Sequence, residues 1–143
     1  MFRRSAAGHP RPSISAMVVG MFLLGACSSA GGSEPAAAGD VTVLTADDAA
    51  TMLAERDDVV VIDVRTPAEF DAGHVRDALL ADVQQPDFDT RVDALDRDTT
   101  YVLYCRSGNR SAVAAERMRA AGFTDLHDAG AFDDLARAGI PTA

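Results

Sequence analysis

The sequence contains no tryptophan and no lysine, and only two of its 143 residues are cysteine. Two cysteines form at most one bridge, which excludes a small domain held together by several disulfides. Aromatic residues make up only 6% of the chain, so the core must be built from small and branched aliphatic side chains. The 13 basic residues, all arginine, are outnumbered by 22 acidic ones, for a net charge of −9. This charge argues against general binding of nucleic acid or of anionic membrane surfaces, because both are negative themselves.

Long hydrophobic runs are also missing. The uncharged stretch 12–26 holds about 12 to 14 apolar residues, whereas a membrane-spanning helix needs roughly 20. Arg3, Arg4 and Arg11 precede this stretch and small residues follow it, which is the pattern of a secretory signal. The signal ends in the letters LGAC, the last of which is Cys27, and this ending resembles the lipobox of bacterial lipoproteins.

The lipobox resemblance implies that Cys27 is acylated and becomes the first residue of the mature chain. Residues 1–26 would then be a cleaved signal peptide, and residues 27–40, rich in Gly, Ser and Ala, a flexible tether. The mature protein would be anchored by lipid at the extracytoplasmic face of the bacterial cell membrane, with a net charge of −12 because three arginines and no acid are removed. An ordinary signal in which Cys27 is incidental and an uncleaved anchor are the alternatives.

Residues 41–143 alternate short apolar runs with helical patterns, which indicates one α/β domain with a mostly parallel sheet of five strands. Thr45 with Asp48, and Thr66 with Glu69, are capping-box signals that open helices. The predicted strands are 41–44, 59–63, 78–80, 100–104 and 125–127, and the predicted helices are 45–56, a short one from Pro67, 88–95, 111–121 and a last one ending at Gly139.

The segment between the strand 100–104 and the helix predicted from Ser111 carries the chemistry. It reads CRSGNR, from Cys105 to Arg110, and ligands bind beyond the carboxyl ends of strands in such sheets. A loop with Gly108 can turn several N–H groups inward as an anion-holding nest. A thiol in this nest, near the helix dipole and two guanidinium groups, should have a pKa below its free value of about 8.5. Cys105 is therefore predicted to be a nucleophile rather than a buried structural cysteine.

The charge around this loop differs from that of the rest of the chain. Residues 99–124 contain four arginines and one acid, a net +3 in an acidic protein. Such a basic segment should concentrate a small anion at the loop. We assign Arg106 and Arg110 to anion binding, and Arg117 and Arg119 to a solvated helix face.

Four motifs of this chain resemble single-domain rhodanese-like sulfurtransferases. They are CRSGNRS at 105–111, DVRTPAEF at 63–70, GHV at 73–75 and GIP at 139–141, and the match spans roughly residues 42–141. The resemblance implies the rhodanese fold, a central parallel sheet flanked by helices on both faces. Three positions depart from the family pattern, in packing and a turn rather than in the loop: Asp77, Ala131 and Leu135.

The resemblance implies that Cys105 takes a sulfane sulfur from a small anionic donor such as thiosulfate and passes it, as a persulfide, to cyanide or a thiol. It implies no cofactor, and the three scattered histidines suggest no metal site. The residues predicted to bind the donor are Arg106, Ser107, Gly108, Asn109 and Arg110. Those predicted to support the loop are Asp63, Arg65, Glu69, His74 and Ser111.

Three other functions are compatible with a cysteine loop. The main alternative is a non-catalytic persulfide carrier or binding module. A phosphatase or arsenate reductase is disfavoured because such loops place five residues between the cysteine and the arginine, whereas four separate Cys105 from Arg110. A redox sensor is disfavoured because, with Cys27 lipidated, no second thiol could resolve an oxidised Cys105.

Overall fold

The computed structural model describes residues 39–143, so the predicted signal peptide, Cys27 and nearly all of the tether lie outside the described residues. Strands and helices alternate as predicted. In chain order they are β1 (Val41–Val43), α1 (Ala46–Glu55), β2 (Val59–Asp63), α2 (Pro67–Asp71), β3 (Leu79–Leu80), α3 (Phe88–Asp93), β4 (Thr100–Cys105), α4 (Asn109–Ala120), β5 (Asp125–Ala131) and α5 (Phe132–Arg137).

The five strands form one sheet in the order β1-β5-β4-β2-β3. All four neighbouring pairs are parallel, so the predicted α/β class is confirmed, and the described sheet is wholly rather than mostly parallel. β4 lies at the centre and is buried along its whole length, as its continuous apolar sequence requires. Because parallel strands end at the same edge, the segments after β2, β4 and β5 are brought together there.

Helices cover both faces of the sheet. On one face Phe88 of α3 and Met118 of α4 pack with Leu103 of β4 in one hydrophobic cluster. On the other face Ala49 of α1 and Leu135 of α5 belong to a second cluster. Leu135 is almost fully buried there, so this departure from the family pattern affects the packing of the core. The predicted arrangement of helices on both faces is confirmed.

The largest difference from the predicted elements is at β5, which was expected to end at His127 and continues to Ala131. The added segment DAGA has no β-branched residue, and pairing with β4 overrides this weak local preference. After a register irregularity between Leu103 and Cys105, the ladder resumes with Cys105 opposite Ala131. The longer strand therefore brings Gly130 and Ala131 beside the cysteine loop.

Helix boundaries differ by smaller amounts. α4 begins at Asn109, two residues before the predicted start, which puts Arg110 in its first turn. α3 and α5 each end two residues earlier than predicted. Asp77 adopts a left-handed conformation with φ of 63° between α2 and β3, where a glycine would be unstrained. Within residues 39–143, no helix is both long enough and apolar enough to cross a membrane.

Candidate active site

Cys105 is the last residue of β4, and residues 106–108 connect it directly to α4. Its side chain lies beneath this turn with 0% exposure. Gly108 closes the turn with φ of 90°, a left-handed conformation that favours glycine. A Cβ at Gly108 would lie 3.6 Å from the Cα of Gly130, so the turn is packed against the end of β5. The predicted position of Cys105, at the carboxyl end of a central strand, is where the structure places it.

The thiol of Cys105 is surrounded by donors. The N–H of Gly108 donates to Sγ at 3.0 Å. Burial alone would raise the pKa of Cys105, but the N–H groups of Ser107, Ser111 and Gly108, together with the Ser111 hydroxyl, stabilise the thiolate and hold the pKa below its ordinary value. α4 has no side-chain cap at its N-terminus, so the sulfur lies where a helix offers unpaired N–H groups to a negative charge.

The cause of this pKa shift differs from the predicted one. The direction agrees with the expectation, but the contributions that lower the pKa most are hydrogen bonds from the turn and from Ser111 rather than guanidinium groups. The Ser111 hydroxyl also donates to the carbonyl of Gly108 at 2.9 Å, which holds the turn closed. Ser111 therefore supports both the charge and the shape of the loop.

Arg110 is turned toward Glu69 of α2 rather than toward open solvent. Two parallel hydrogen bonds of 2.7 and 2.8 Å join its guanidinium to the Glu69 carboxylate. The same carboxylate accepts from the backbone and hydroxyl of Thr66, completing the predicted capping box of α2. Arg110 and these cap bonds lower the pKa of Glu69 to about 2 despite partial burial. Arg110 thus ties α4 to α2, which limits the predicted role in donor binding.

A second ion pair lies at the carboxyl end of β2. Arg65 binds the fully buried carboxylate of Asp63 through Nε at 3.0 Å and Nη2 at 2.6 Å, and also donates to the carbonyl of Gly73. Tyr104 of β4 donates to Asp63 at 2.6 Å and accepts from the N–H of Val75 at 3.0 Å. Burial, with the hydrogen bond to Asp63, raises the pKa of Tyr104. Asp63, Arg65 and Tyr104 form a rigid base beneath the loop.

His74 is placed differently from the other predicted supporting residues. Its ring stacks on Phe70 with centroids 3.6 Å apart, and Nδ1 lies 3.0 Å from the Phe70 carbonyl. Its backbone pairs with Ala143 through two hydrogen bonds. No hydrogen bond joins its side chain to the loop residues in the part of the chain that the structure describes. His74 therefore holds the chain segment after α2 and is not positioned as a proton carrier.

The basic segment 99–124 is largely neutralised by its surroundings. Besides the Arg110–Glu69 pair, Arg117 binds Asp89 at 2.7 Å and Arg119 binds Glu116 at 2.9 Å. Arg117 also donates to the carbonyl of Val83, so it fastens α4 to the segment before α3 as well as lying on a solvated face. Arg106 is exposed and forms no ion pair with any described residue. The predicted surplus of positive charge is thus concentrated on Arg106.

A cleft of about 240 Å³ opens beside Arg106. The Arg65 guanidinium lies over the ring of Phe132 at 4.3 Å from its centroid, which fixes one wall. Clefts of about 480 and 500 Å³, between α1 and α5 and beside the C-terminal segment, are larger, but none of residues 105–110 lines either of them. The cleft beside the loop is lined by Arg65, Glu69, Ala72, Gly73, Arg106, Phe132 and Asp133.

Four residues near the loop were not predicted from the sequence. Tyr104 was assigned only to a buried strand, because its bond to Asp63 spans 41 positions of the chain. Phe132 and Asp133 were not predicted because β5 was expected to end earlier. Asp82, which is buried and acts electrostatically on Arg110, could have been found. It follows β3, and the rule that parallel strands end at a common edge would have placed it near Cys105.

The fold and the loop together define a class: parallel α/β domains that hold a cysteine thiolate at the N-terminus of a helix. The chain belongs to the rhodanese-like domain family, which it matches over residues 45–132. A sulfurtransferase from Allochromatium vinosum is 36% identical over 90 residues, which are 62% of this chain and 82% of that protein. The rhodanese-like family predicted from the motifs is thereby confirmed, and its members similar to this chain include a sulfurtransferase.

Two further comparisons mark the extent of this similarity. A probable adenylyltransferase/sulfurtransferase, MoeZ, from Mycobacterium tuberculosis is 39% identical over 67 residues, which are 47% of this chain but only 17% of MoeZ. A rhodanese-related protein from Thermoplasma volcanium superimposes with a TM-score of 0.62 at 24% identity, covering 71% of this chain and 97% of that structure. The second comparison establishes the shared fold.

Proposed function

We propose that this protein transfers a sulfane sulfur from a small anionic donor of the thiosulfate type to a thiophilic acceptor through a persulfide on Cys105. The observation that carries the proposal is the contact of 3.0 Å between the Gly108 N–H and Cys105 Sγ in a turn that lowers the pKa of the thiol. The sulfurtransferase from Allochromatium vinosum supports the same chemistry by similarity.

In the first half-reaction the Cys105 thiolate attacks the outer sulfur of thiosulfate. The bond between the two donor sulfurs breaks, sulfite leaves with the electron pair of that bond, and a persulfide remains on Cys105. The turn's N–H groups and the Ser111 hydroxyl stabilise negative charge on sulfur before and after the transfer. In the second half-reaction cyanide or a thiolate attacks the outer sulfur, and the electron pair of the S–S bond returns to Cys105.

The two loop arginines have different roles in this scheme. Arg106 is exposed and free of ion pairs with described residues, so it binds the donor's anionic oxygens. Arg110 is held by two hydrogen bonds to Glu69, and its role is to fix the first turn of α4. Ser107 and Asn109 are also exposed and reach the donor from the loop. Because Cys105 is fully buried, the donor must displace part of the turn over the sulfur.

The test is to incubate the purified protein with thiosulfate, measure its intact mass and assay the release of thiocyanate from cyanide. The proposal predicts a mass increase of one sulfur atom, turnover, and the loss of both in Cys105→Ser. An adduct without turnover would support the persulfide carrier instead. Hydrolysis of an aryl phosphate with no sulfur adduct would support the phosphatase.

We also propose that the protein is exported and anchored through lipid on Cys27, with residues 27–40 as a tether. The LGAC sequence after a short apolar run supports this proposal. An anchored sulfurtransferase outside the cytosol needs an acceptor from its surroundings, because Cys105 is then the only free thiol of the mature chain. The donor and the acceptor would be small molecules able to reach the loop from solvent.

A further inference from the structure

Two opposite charges at the cleft beside the loop have no ionic partner among the described residues. Four charged side chains line this cleft. Arg65 is bound to Asp63, and Glu69 is bound to Arg110. The remaining two are Arg106, from the turn after β4, and Asp133, from the first turn of α5. Both are exposed, and no salt bridge joins them to each other.

We propose that Arg106 and Asp133 bind the carboxylate and the ammonium of an amino-acid-like thiol, which is the sulfur acceptor. This inference rests on the proposed sulfurtransferase function and specifies its second substrate. A thiol with only a carboxylate would leave Asp133 unpaired, and one with only an ammonium would leave Arg106 unpaired. A zwitterion satisfies both residues without displacing the ion pairs of Arg65 or Glu69.

The size and the walls of the cleft agree with such a ligand. Its volume of about 240 Å³ lies just below the range of about 300 to 1,000 Å³ that is typical of pockets for drug-sized molecules. Ala72, Gly73 and the ring of Phe132 supply an apolar surface for the methylene of a short thiol. Cys105 is buried and does not line this cleft, but Arg106 directly follows it in the chain, so a carboxylate bound to Arg106 would place the thiol toward the turn over the sulfur.

The transfer balances without an oxidant or a reductant. The acceptor thiol loses its proton to solvent, and its thiolate attacks the outer sulfur of the Cys105 persulfide. A bond forms between these two sulfurs, the S–S bond to Cys105 breaks, and its electron pair stays on Sγ. The product is the persulfide of the amino acid, and the Cys105 thiolate is regenerated. Arg106 serves donor and acceptor in turn, because sulfite leaves before the acceptor binds.

The first experiment measures discharge of the persulfide-loaded full-length protein by four thiols at equal thiolate concentration. Cysteine carries both charges, cysteamine only the ammonium, 3-mercaptopropionate only the carboxylate, and 2-mercaptoethanol neither. Cysteine should reach half-saturation at the lowest concentration. Asp133→Asn should raise the half-saturating concentration about two- to fivefold for cysteine and cysteamine only, the range expected of an exposed ion pair.

The control variant is Asp134→Asn, which removes a neighbouring carboxylate of α5 that is paired with Arg137 and does not line this cleft. It should leave all four half-saturating concentrations unchanged. An equal effect of Asp133→Asn on all four thiols, or no effect on any, overturns the proposal while leaving sulfur transfer itself established.

A second measurement separates this subsite from the sulfurtransferase chemistry. S-methylcysteine carries both charges but no thiol, and its binding is followed by NMR titration of the unloaded protein. We expect saturable shifts at residues of the cleft, with a dissociation constant about two- to fivefold higher in Asp133→Asn. If the wild-type protein shows no saturable binding, the subsite is wrong. If it binds S-methylcysteine but forms no persulfide with thiosulfate, the proposed function is wrong and the subsite stands.

Discussion

At the scale of single residues, the pKa of Cys105 is lowered by hydrogen-bond donors more than by nearby cations. Its sulfur is buried, which by itself favours the neutral thiol. The N–H groups of the turn reverse that preference, because each can direct a partial positive charge at the thiolate. Removing a backbone donor requires proline, which would also change the shape of the turn, so the contribution that can be tested by itself is that of the Ser111 hydroxyl.

Ser111→Ala should raise the pKa of Cys105, since the substitution removes a hydrogen bond to the thiolate and such a bond to a charged group contributes about 1.5 to 3 kcal/mol. The measurement is the rate of alkylation by iodoacetamide as a function of pH. Ser107→Ala is the matched control, because Ser107 acts on the sulfur through its backbone N–H, which the substitution retains. Equal titration curves for the two variants would show that the hydroxyl has no role.

Arg106→Gln should raise the KM for thiosulfate about five- to tenfold, because it removes the loop cation that is not already engaged by a carboxylate of the described residues. Thermal stability should be unchanged, since the side chain is exposed. Arg119→Gln removes a cation of the same helix region that is paired with Glu116, and its KM should equal that of the wild type. Steady-state kinetics at fixed ionic strength make the comparison.

At the scale of elements, the site is held by two cross-connections between segments distant in sequence. Glu69 and Arg110 join α2 to α4, and Asp63 and Tyr104 join β2 to β4. Both contacts lie near the loop, because β2 and β4 are neighbours in a parallel sheet and α2 and α4 follow their carboxyl ends. The loop's shape is therefore determined by how helices and strands meet, as well as by its own glycine.

Glu69→Gln should lower the free energy of unfolding at pH 7 by on the order of 2 kcal/mol. The pKa of Glu69 is about 2 in the folded protein against 4.5 ordinarily, so the folded state favours the charged form. This contribution is complete above pH 4.5 and is lost as the pH falls toward 2. In urea unfolding, the difference in the free energy of unfolding between Glu69→Gln and the wild type should therefore be smaller at pH 3 than at pH 7.

Glu116→Gln serves as the control for that experiment. It breaks an exposed pair with Arg119 that is joined by a single hydrogen bond of 2.9 Å. Exposed pairs contribute about 0 to 1 kcal/mol, so this variant should remain close to the wild type at both pH values. If the loss of unfolding free energy in Glu69→Gln is the same at pH 7 and pH 3, the ionisation of Glu69 is not its cause.

Tyr104→Phe should destabilise the protein by about 2 to 3 kcal/mol, because it leaves the Val75 N–H without an acceptor and removes a donor from a buried carboxylate. Tyr101→Phe, three residues earlier on the same strand, loses a single hydrogen bond to the Asp96 carbonyl and should cost about 1 kcal/mol. Urea unfolding of both variants gives the comparison, and equal losses would contradict a special role for Tyr104.

The sequence predicted the strands, turns and helix caps of this site better than the side-chain contacts that join them. Local signals were sufficient for the β4 strand, the Gly108 turn and the capping box of Thr66 and Glu69, because their determinants lie within a few residues. The Glu69–Arg110 and Asp63–Tyr104 contacts each span 41 positions and depend on strand order. The end of β5 was missed for the same reason, since its last residues become a strand only by pairing with β4.

At the scale of the whole molecule, the average charge says little about the site. The chain carries a net charge of −9, and Arg110, Arg117 and Arg119 are each paired with a carboxylate, whereas Arg106 pairs with none among the described residues. Only local charges within a Debye length, about 8 Å at physiological salt, act strongly on a bound ligand. We therefore expect Arg106 to bind a small anion against an overall field that repels it.

The two cysteines of the chain give the last prediction, which concerns where the molecule resides. Cys27→Ala should release the protein from membranes into the soluble fraction, because a lipid-anchored chain loses its attachment when the acylated residue is removed. Cys105→Ser is the matched control and should stay with the membrane while losing all sulfur transfer. Fractionation of the producing bacterium, with intact mass of the mature chain, measures both. Membrane retention of Cys27→Ala would instead indicate an uncleaved anchor, and a soluble wild-type protein an ordinary cleaved signal.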